Sequence, residues 1–412
     1  MALIDVDADS GLPQTLRAFA HRNFRLYWFG MLISLCGSWM QLVALNWLTY
    51  RLTNSPLMLG LINFVALLPV GALSLVGGVI SDRFPRRNLI LATQVVLACQ
   101  ALILAVLTGL GRIQVWHIML VTFIIGAANV VEQPARSVLL MDVVGKDDFT
   151  NAVGLNAAVV HTTHALGPAL AGVLIVWLGE TSCFVLNFMS YLAVILSFLR
   201  MQLPESTRLL KPQGLSDEVA AGLKYIWQNL TIRSLIMLII VSCLLAQPVA
   251  VLMPVMARDV LQIGSAGYGL LMSAHGAGAA CGALISGSIG SGCRGKYLKV
   301  ASLVFPVFLL LFAVSRSLLL SLGWLFLAAT GQFMLLVMVN AMLQLAAGEN
   351  FQGRVASFFA LLNNGLNRLG GVPMGAAAQA WGAPVAIGGG AALSLIWAII
   401  VIGRIPLIRQ LR

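Results

Sequence analysis

Gly78-Val79-Ile80-Ser81-Asp82-Arg83-Phe84-Pro85-Arg86-Arg87 is the stretch that decides how this chain is read. It crowds one acid and three arginines between two long apolar runs, in a protein whose residues are only 9% charged. Charge concentrated in so short a break marks a tight turn at a membrane surface, because basic residues gather where the chain leaves the lipid.

Composition supports a membrane environment. Of 412 residues, 59% are hydrophobic and the mean hydropathy is +0.94, which is too apolar for a water-soluble globule. Lipid offers the backbone no hydrogen-bond partners, so spanning elements are helices or a closed barrel, and the apolar runs here are continuous rather than alternating. Helical spans are expected near 28–50, 57–81, 88–110, 116–137, 152–178, 182–200, 234–256, 266–290, 298–315, 318–345, 354–378 and 383–403. Most exceed the roughly 20 residues that a bilayer requires, which implies tilt or extension beyond the lipid. The expected fold class is an all-α integral membrane protein with twelve transmembrane helices in two pseudo-symmetric six-helix bundles.

Orientation follows from charge. The opening residues carry Asp5, Asp7 and Asp9 and lack the basic and apolar regions of a signal peptide, so they are expected to form a cytoplasmic tail. With that end inside, 20 of the 25 Lys and Arg fall on cytoplasmic segments and four, Arg51, Arg112, Arg258 and Arg316, on the other side. Arg368 falls within a span. The bias places both termini in the cytoplasm of a multi-pass protein of the bacterial inner membrane, and it explains the net charge of +11 without nucleic acid. Cys36, Cys99, Cys183, Cys243, Cys281 and Cys293 lie in or beside spans and form no CxxC pair, so they read as small apolar fillers.

The long polar interval 200–233 divides the spans six and six. Val219, Leu223, Ile226 and Leu230 recur there at helical spacing, as in a helix lying on the membrane surface. The expected domains are 1–201, a linker over 202–232, and 233–412. A shift of 209 residues aligns Gly60-Leu61 with Gly269-Leu270, Gly78 with Gly287, Ile80 with Ile289 and Arg87 with Lys296. Related halves of this kind can pack in two ways around a central site. In the second copy Asp82 becomes Ser291 and Arg83 becomes Gly292, so the charged motif survives in one half only.

Gly78-x-x-x-Asp82-Arg83-x-x-Arg86-Arg87 closely resembles the loop 2–3 signature of the major facilitator superfamily. Further stretches are similar to the branch of macrolide efflux proteins and enterobactin-type siderophore exporters. They are Gly37-Ser38-Trp39-Met40-Gln41, Leu52-Thr53-Asn54-Ser55-Pro56, Gln133-Pro134-Ala135-Arg136, and Asn156 followed by Gly167-Pro168-Ala169-Leu170-Ala171-Gly172. The resemblance implies a secondary transporter exporting a small amphiphilic molecule, siderophore or drug-like, against protons; an uptake or lipid-flipping facilitator is the alternative. It also implies that Asp82 faces the start of the eleventh helix near Gly353 and Arg354 as an inner-gate latch. The arginine that many proton-coupled drug exporters carry in the fourth helix is Thr122 here, ahead of Gly126, so the resemblance supplies no proton route at that position.

Several side chains are candidates for mechanism. Glu132 is an acid within a predicted span, with Arg136 one turn later; an intramembrane acid is a functional candidate by default, although an i,i+4 pair is also a structural device. His161 and His164 share a face of the fifth helix and His275 sits in the eighth. Each titrates near neutrality, or is a neutral imidazole bonded between helices. Arg368, deep in the eleventh helix behind Asn363, Asn364 and Asn367, is costly in lipid unless it meets a wet cavity or an anion. With Gln41, Asn46, Asn63, Asn129, Gln247, Gln332, Asn340, Gln344, Asn363 and Asn367 it outlines a polar cavity, or these amides serve as interhelical glue. Pro168 and Pro373, in equivalent helices, are hinge candidates.

The sequence contains no HExxH, GxSxG or Walker loop and no cluster of acids, so an enzyme is not expected. No cofactor or metal is expected, and the partners are a small-molecule substrate, protons and the lipid bilayer, with a monomer as the working unit.

Overall fold

The computed structural model describes residues 14–71, 73, 84–201, 227–290, 294–348 and 351–404. These residues are built from helices: α1 (Arg22–Thr53), α2 (Pro56–Val65), α3 (Arg86–Gly109), α4 (Val115–Val144), α5 (Phe149–Leu178), α6 (Glu180–Arg200), α7 (Leu230–Leu245), α8 (Gly264–Ser288), α9 (Arg294–Val314), α10 (Leu318–Ala346), α11 (Gln352–Trp381) and α12 (Ala383–Arg404). A 3-10 helix over Gln14–Ala20 precedes α1. The turns are set by residues that tolerate a left-handed backbone: Gly145, Gly179 and Gly382 end α4, α5 and α11 at φ of 73°, 75° and 87°.

Ten helices among the described residues are long and apolar enough to cross a membrane, counting α7 with its continuation to Val260. The two expected spans outside that set differ for separate reasons. Helix α11 has the length, at 30 residues, but Asn363, Asn364, Asn367 and Arg368 reduce its apolarity. The expected span 57–81 is a shorter apolar helix over Pro56–Gly71, and 74–83 lie outside the described residues. The amphipathic segment expected in the linker likewise lies outside them.

The chain forms two compact units, and the boundary passes through α1. The first comprises Met1–Leu48 and Val65–Lys211, the second Thr49–Phe64 and Pro212–Arg412. In the first unit α3 packs on α4 and α6, α5 on α6, and the 3-10 helix on α5. Its cores collect Phe24, Tyr27, Ile90, Leu139, Val194 and Phe198 in one cluster and Leu97, Ala101, Ala128 and Tyr191 in another. In the second unit α10 packs on α8 and α9, α12 on α9, and α11 on α7 and α12. Small residues set the closest of these contacts: a Cβ at Gly278 or Gly282 of α8 would overlap the carbonyl oxygens of Phe326 and Thr330 on α10.

Candidate functional site

In the first unit, Glu132 on α4 is 4% exposed. Its Oε1 accepts a hydrogen bond from Gln94 Nε2 at 2.8 Å and forms an ion pair with Arg136 one turn on. Oε2 has no hydrogen-bond partner. Arg136 Nη1 also reaches Met31 Sδ on α1, while its buried Nε is unpartnered. Three helices therefore meet at the Glu132–Arg136 pair, whose carboxylate is half-satisfied in a medium where each unmet polar group is costly. Asn129, one turn before Glu132, is half-buried.

A second network lies on α1, α3 and α6. Gln41 Nε2 donates to Gln100 Oε1 at 3.0 Å, Asn187 Nδ2 donates to Gln41 Oε1 at 2.6 Å, and Ser190 Oγ donates to the Asn187 carbonyl at 2.7 Å. Gln41, Gln100, Asn187 and Ser190 are all buried, so the structure places Gln41 inside a closed amide network. Asn46 is buried on the same helix. Sequence reading missed Gln94, Gln100 and Asn187; their isolated polarity inside apolar runs was the available signal.

Of the motif that opened the reading, Gly78, Asp82 and Arg83 lie outside the described residues. Arg86 pairs with Asp142 near the end of α4. Arg87 donates from Nε to the Phe198 carbonyl at 3.0 Å and from Nη2 to the Leu199 carbonyl at 2.9 Å. The two arginines thus tie the start of α3 to the last turns of α4 and α6, where carbonyls lack i+4 helical partners and the helix dipole favours cations. Asp142 lies 56 residues from its partner, a separation no local pattern reveals.

The histidines separate. His164 stacks on Trp39 with ring centroids 4.1 Å apart, and His161, one turn earlier on α5, is half-buried. His275 on α8 meets Gln332 on α10 at 3.3 Å. That contact accounts for Gln332 within a helix interface. Pro168 sits in an unbroken α5 and is buried; Pro373 sits in an unbroken α11.

In the second unit the informative feature is a break in α7. The α-helix stops at Leu245, continues as a 3-10 turn over Gln247–Leu252, passes through Met253–Val255 and ends in a π turn over Met256–Val260. Pro248 explains the break: without an N–H it cannot bond the Leu244 carbonyl. Backbones crowd against the freed oxygens, because a Cβ at Gly370 of α11 would overlap Leu244 O and one at Gly390 of α12 would overlap Leu245 O. Beside the break the Cys243 Sγ lies 3.4 Å from Gln247 Oε1 and 3.6 Å from Asn363 Oδ1, so its one S–H is shared between the two acceptors. Gln247 is 2% exposed and its Nε2 has no partner.

Arg368 lies two residues before Gly370, half-buried, and has no hydrogen bond or ion pair with any described residue. Asn367 is half-buried beside it. Asn63 of α2 turns back to the Leu59 carbonyl at 3.0 Å, and Asn340 and Gln344 bond each other along the surface of α10. Helices α2 and α11 cross at Gly60 and Gly371 and again at Pro56 and Gly375.

A polar cluster that sequence reading missed joins the end of α1 to the π turn. Tyr50 donates to Asp259, Arg258 Nη1 donates to Asn54 Oδ1 at 2.7 Å, and Ser55 Oγ donates to Gln379 Oε1 at 2.7 Å. Asn54 holds φ of 49°, which an asparagine tolerates and which turns α1 into α2. Among the described residues no group of three or more His, Cys, Asp or Glu is arranged to hold a metal ion.

Apolar helices long enough to cross a bilayer, with a broken helix and polar side chains kept within, define a multi-pass membrane protein of transporter type. The chain belongs to the transmembrane secretion effector family of the major facilitator superfamily, whose model matches residues 14–410. This is a family of transporters rather than enzymes. Among curated relatives, the staphyloferrin A transporter of Staphylococcus aureus is 28% identical over 161 residues, covering 39% of this chain and 41% of that protein. Macrolide efflux protein A of Streptococcus pyogenes is 22% identical over 152 residues, covering 37% and 38%. Multidrug efflux pump Tap of Mycobacterium tuberculosis is 24% identical over 259 residues, covering 60% and 61%. The chain thus spans about two-fifths of the length of the first two and three-fifths of the third. The fold matches the nucleoside transporter NupG with a TM-score of 0.76 at 11% identity, over 93% of this chain and 98% of that one. It also matches a bacterial homolog of the lysosomal transporter Spinster, with a TM-score of 0.71 at 11% identity, over 95% and 97%.

Proposed function

We propose that this protein is a secondary active transporter that exports a small amphiphilic compound, siderophore-like or drug-like, by alternating access in exchange for protons. The observation that carries the proton half is Glu132, a buried intramembrane carboxylate with one oxygen held by Gln94 and Arg136 and the other bare. Protonation neutralises it and releases a guanidinium and an amide that bridge helices, so a proton has a route to packing. His164 and His275 are engaged with Trp39 and Gln332, which favours Glu132 over them as the carrier.

Export, and the kind of cargo, draw support from relatives named for staphyloferrin A, macrolides and multidrug efflux. The broken α7 supports a substrate site at membrane depth, since discontinuous helices expose backbone and polar groups where ligands bind. Two bundles, 1–201 and 233–412, would alternate about that site, with the linker 202–232, both termini and the Asp82 latch on the cytoplasmic side of the inner membrane, and the monomer as the working unit. The test is uptake into inverted membrane vesicles of a labelled panel of siderophores and drugs, with and without an acid-inside gradient. Gradient-dependent uptake of at least one compound is expected; no such flux across the panel would sink the reading.

A further inference from the structure

We propose that the start of α1 and the 3-10 helix before it form a binding site for an anionic phospholipid, with the lipid phosphate against Arg22 and Arg25 and an acyl chain along Phe29 and Ile33.

The outer face of α1 supplies the first argument. Arg22, Arg25, Phe29 and Ile33 recur at helical spacing and all four are exposed, whereas Phe24, Tyr27 and Met31 on the other side are buried in the core of the first unit. The exposed face thus passes from two cations to large apolar side chains within two turns. From residue 22 to residue 33 the helix rises about 16 Å at ~1.5 Å per residue, close to half of a hydrocarbon core roughly 30 Å thick. A phospholipid presents the same order, charge and then chain, over the same length.

Charge balance supplies the second. Neither Arg22 nor Arg25 forms an ion pair with a described residue; Asp148, the acid that meets this end of the chain, is held by Arg17 at 3.1 Å and His21 at 2.9 Å. Arg25 Nη1 donates to the carbonyls of Phe19 at 2.8 Å and Ala20 at 3.4 Å, so its guanidinium reaches back past the start of α1 while its stem lies along the helix. Carbonyls orient that charge without neutralising it. Arg22, one turn earlier, is its neighbour on the helix surface. Two guanidinium forks side by side suit a phosphate, which accepts several parallel hydrogen bonds. A zwitterionic lipid brings a cation of its own against the pair, so net negative charge is favoured.

The 3-10 helix supplies the third, because it builds a fixed shelf beside the arginines. Asn151 Oδ1 accepts from Ala18 N at 2.9 Å and Asn151 Nδ2 donates to the Thr15 carbonyl at 2.8 Å, pinning the segment to α5. From that shelf the Phe19 ring packs 5.1 Å from Trp28 and 6.4 Å from Phe29. Aromatic groups of this kind gather where headgroups give way to hydrocarbon, which sets the arginines at the depth of the phosphates.

The experiment titrates the full-length protein, delipidated in a neutral detergent, with phosphatidylglycerol, with phosphatidylcholine of the same chain length, and with glycerol phosphate, and reads the first bound molecule by native mass spectrometry. Phosphatidylglycerol is expected to bind at least about fivefold more tightly than phosphatidylcholine, and glycerol phosphate at equal concentration is expected not to displace it. Arg22 is exposed and makes no bond to a described residue, so Arg22→Gln keeps the fold and is expected to weaken phosphatidylglycerol about fivefold; Arg22→Gln/Arg25→Gln is expected to weaken it about thirtyfold. Arg112→Gln, an exposed arginine outside this site, is expected to leave the affinity unchanged. Equal affinity for the two lipids, displacement by glycerol phosphate, or wild-type affinity in the double variant would overturn the proposal. Neither cargo nor a gradient enters the measurement, so its outcome is separable from that of the export reading.

Discussion

Removal of Arg136 tests whether Glu132 is held as an ion in the interior of the first unit. The Arg136 side chain is 17% exposed and that of Glu132 is 5% exposed. In Arg136→Leu the carboxylate keeps only the Gln94 donor, since its second oxygen already lacks one. Breaking a buried pair from the cationic side and stranding the other charge costs about 3–5 kcal/mol. Glu132→Gln leaves a neutral amide that still meets Gln94, and an arginine whose side chain, more exposed than that of Glu132, can reach toward water along its stem, so a smaller loss of about 1–2 kcal/mol is expected. The double variant should sit within about 1 kcal/mol of Glu132→Gln alone, because the stranded charge is gone. Equilibrium unfolding in mixed detergent micelles, followed by tryptophan fluorescence, measures all three. If Arg136→Leu proves as mild as Glu132→Gln, the pair is not a desolvated one and the argument from burial fails.

Other expectations are open to the same unfolding assay. Gly282→Val places a side chain into the Thr330 carbonyl on α10 and should destabilise by about 1–3 kcal/mol, whereas Gly287→Ala, which has no neighbour within 4 Å, should change stability by less than about 0.5 kcal/mol. Gln41→Leu should cost about 1–3 kcal/mol by leaving the Gln100 and Asn187 amides unmet; a neutral result would mean that the network can repair itself. Tyr50→Phe should cost about 1 kcal/mol through the lost bond to Asp259, and an equal loss in Tyr50→Phe/Asp259→Asn would tie it to that contact.

The helices were legible because lipid imposes a single rule on the backbone, that apolar runs must be helical; the glycines that end them, such as Gly145 and Gly179, went unread because many glycines also lie inside the helices. Helix α11 shows where that rule weakens, since Asn363, Asn364, Asn367 and Arg368 reduce its hydropathy although its 30 residues are long enough to cross. The Glu132–Arg136 pair could be read from i,i+4 spacing, whereas Gln94 could not, being brought to Glu132 by the packing of α3 on α4 across 38 residues. Arg86 and Arg87 read as a topology signal; their bonds to Asp142 and to the α6 carbonyls depend on where three helix ends meet. Gln41 and Gln247 look alike in sequence, yet one is enclosed by two partners and the other is left with a free donor. That difference arises from Pro248, which breaks α7, and from Cys243, which holds the amide oxygen.

The central claim is that a proton exchanged at Glu132 drives export. It is tested most directly in proteoliposomes enclosing a pH-sensitive dye, by adding a compound that the vesicle screen shows to be transported and recording proton movement as the compound crosses. Wild type is predicted to move protons opposite to the compound, and Glu132→Gln to abolish that movement while still exchanging compound for compound without a gradient. Proton movement by Glu132→Gln at the wild-type rate would contradict the account.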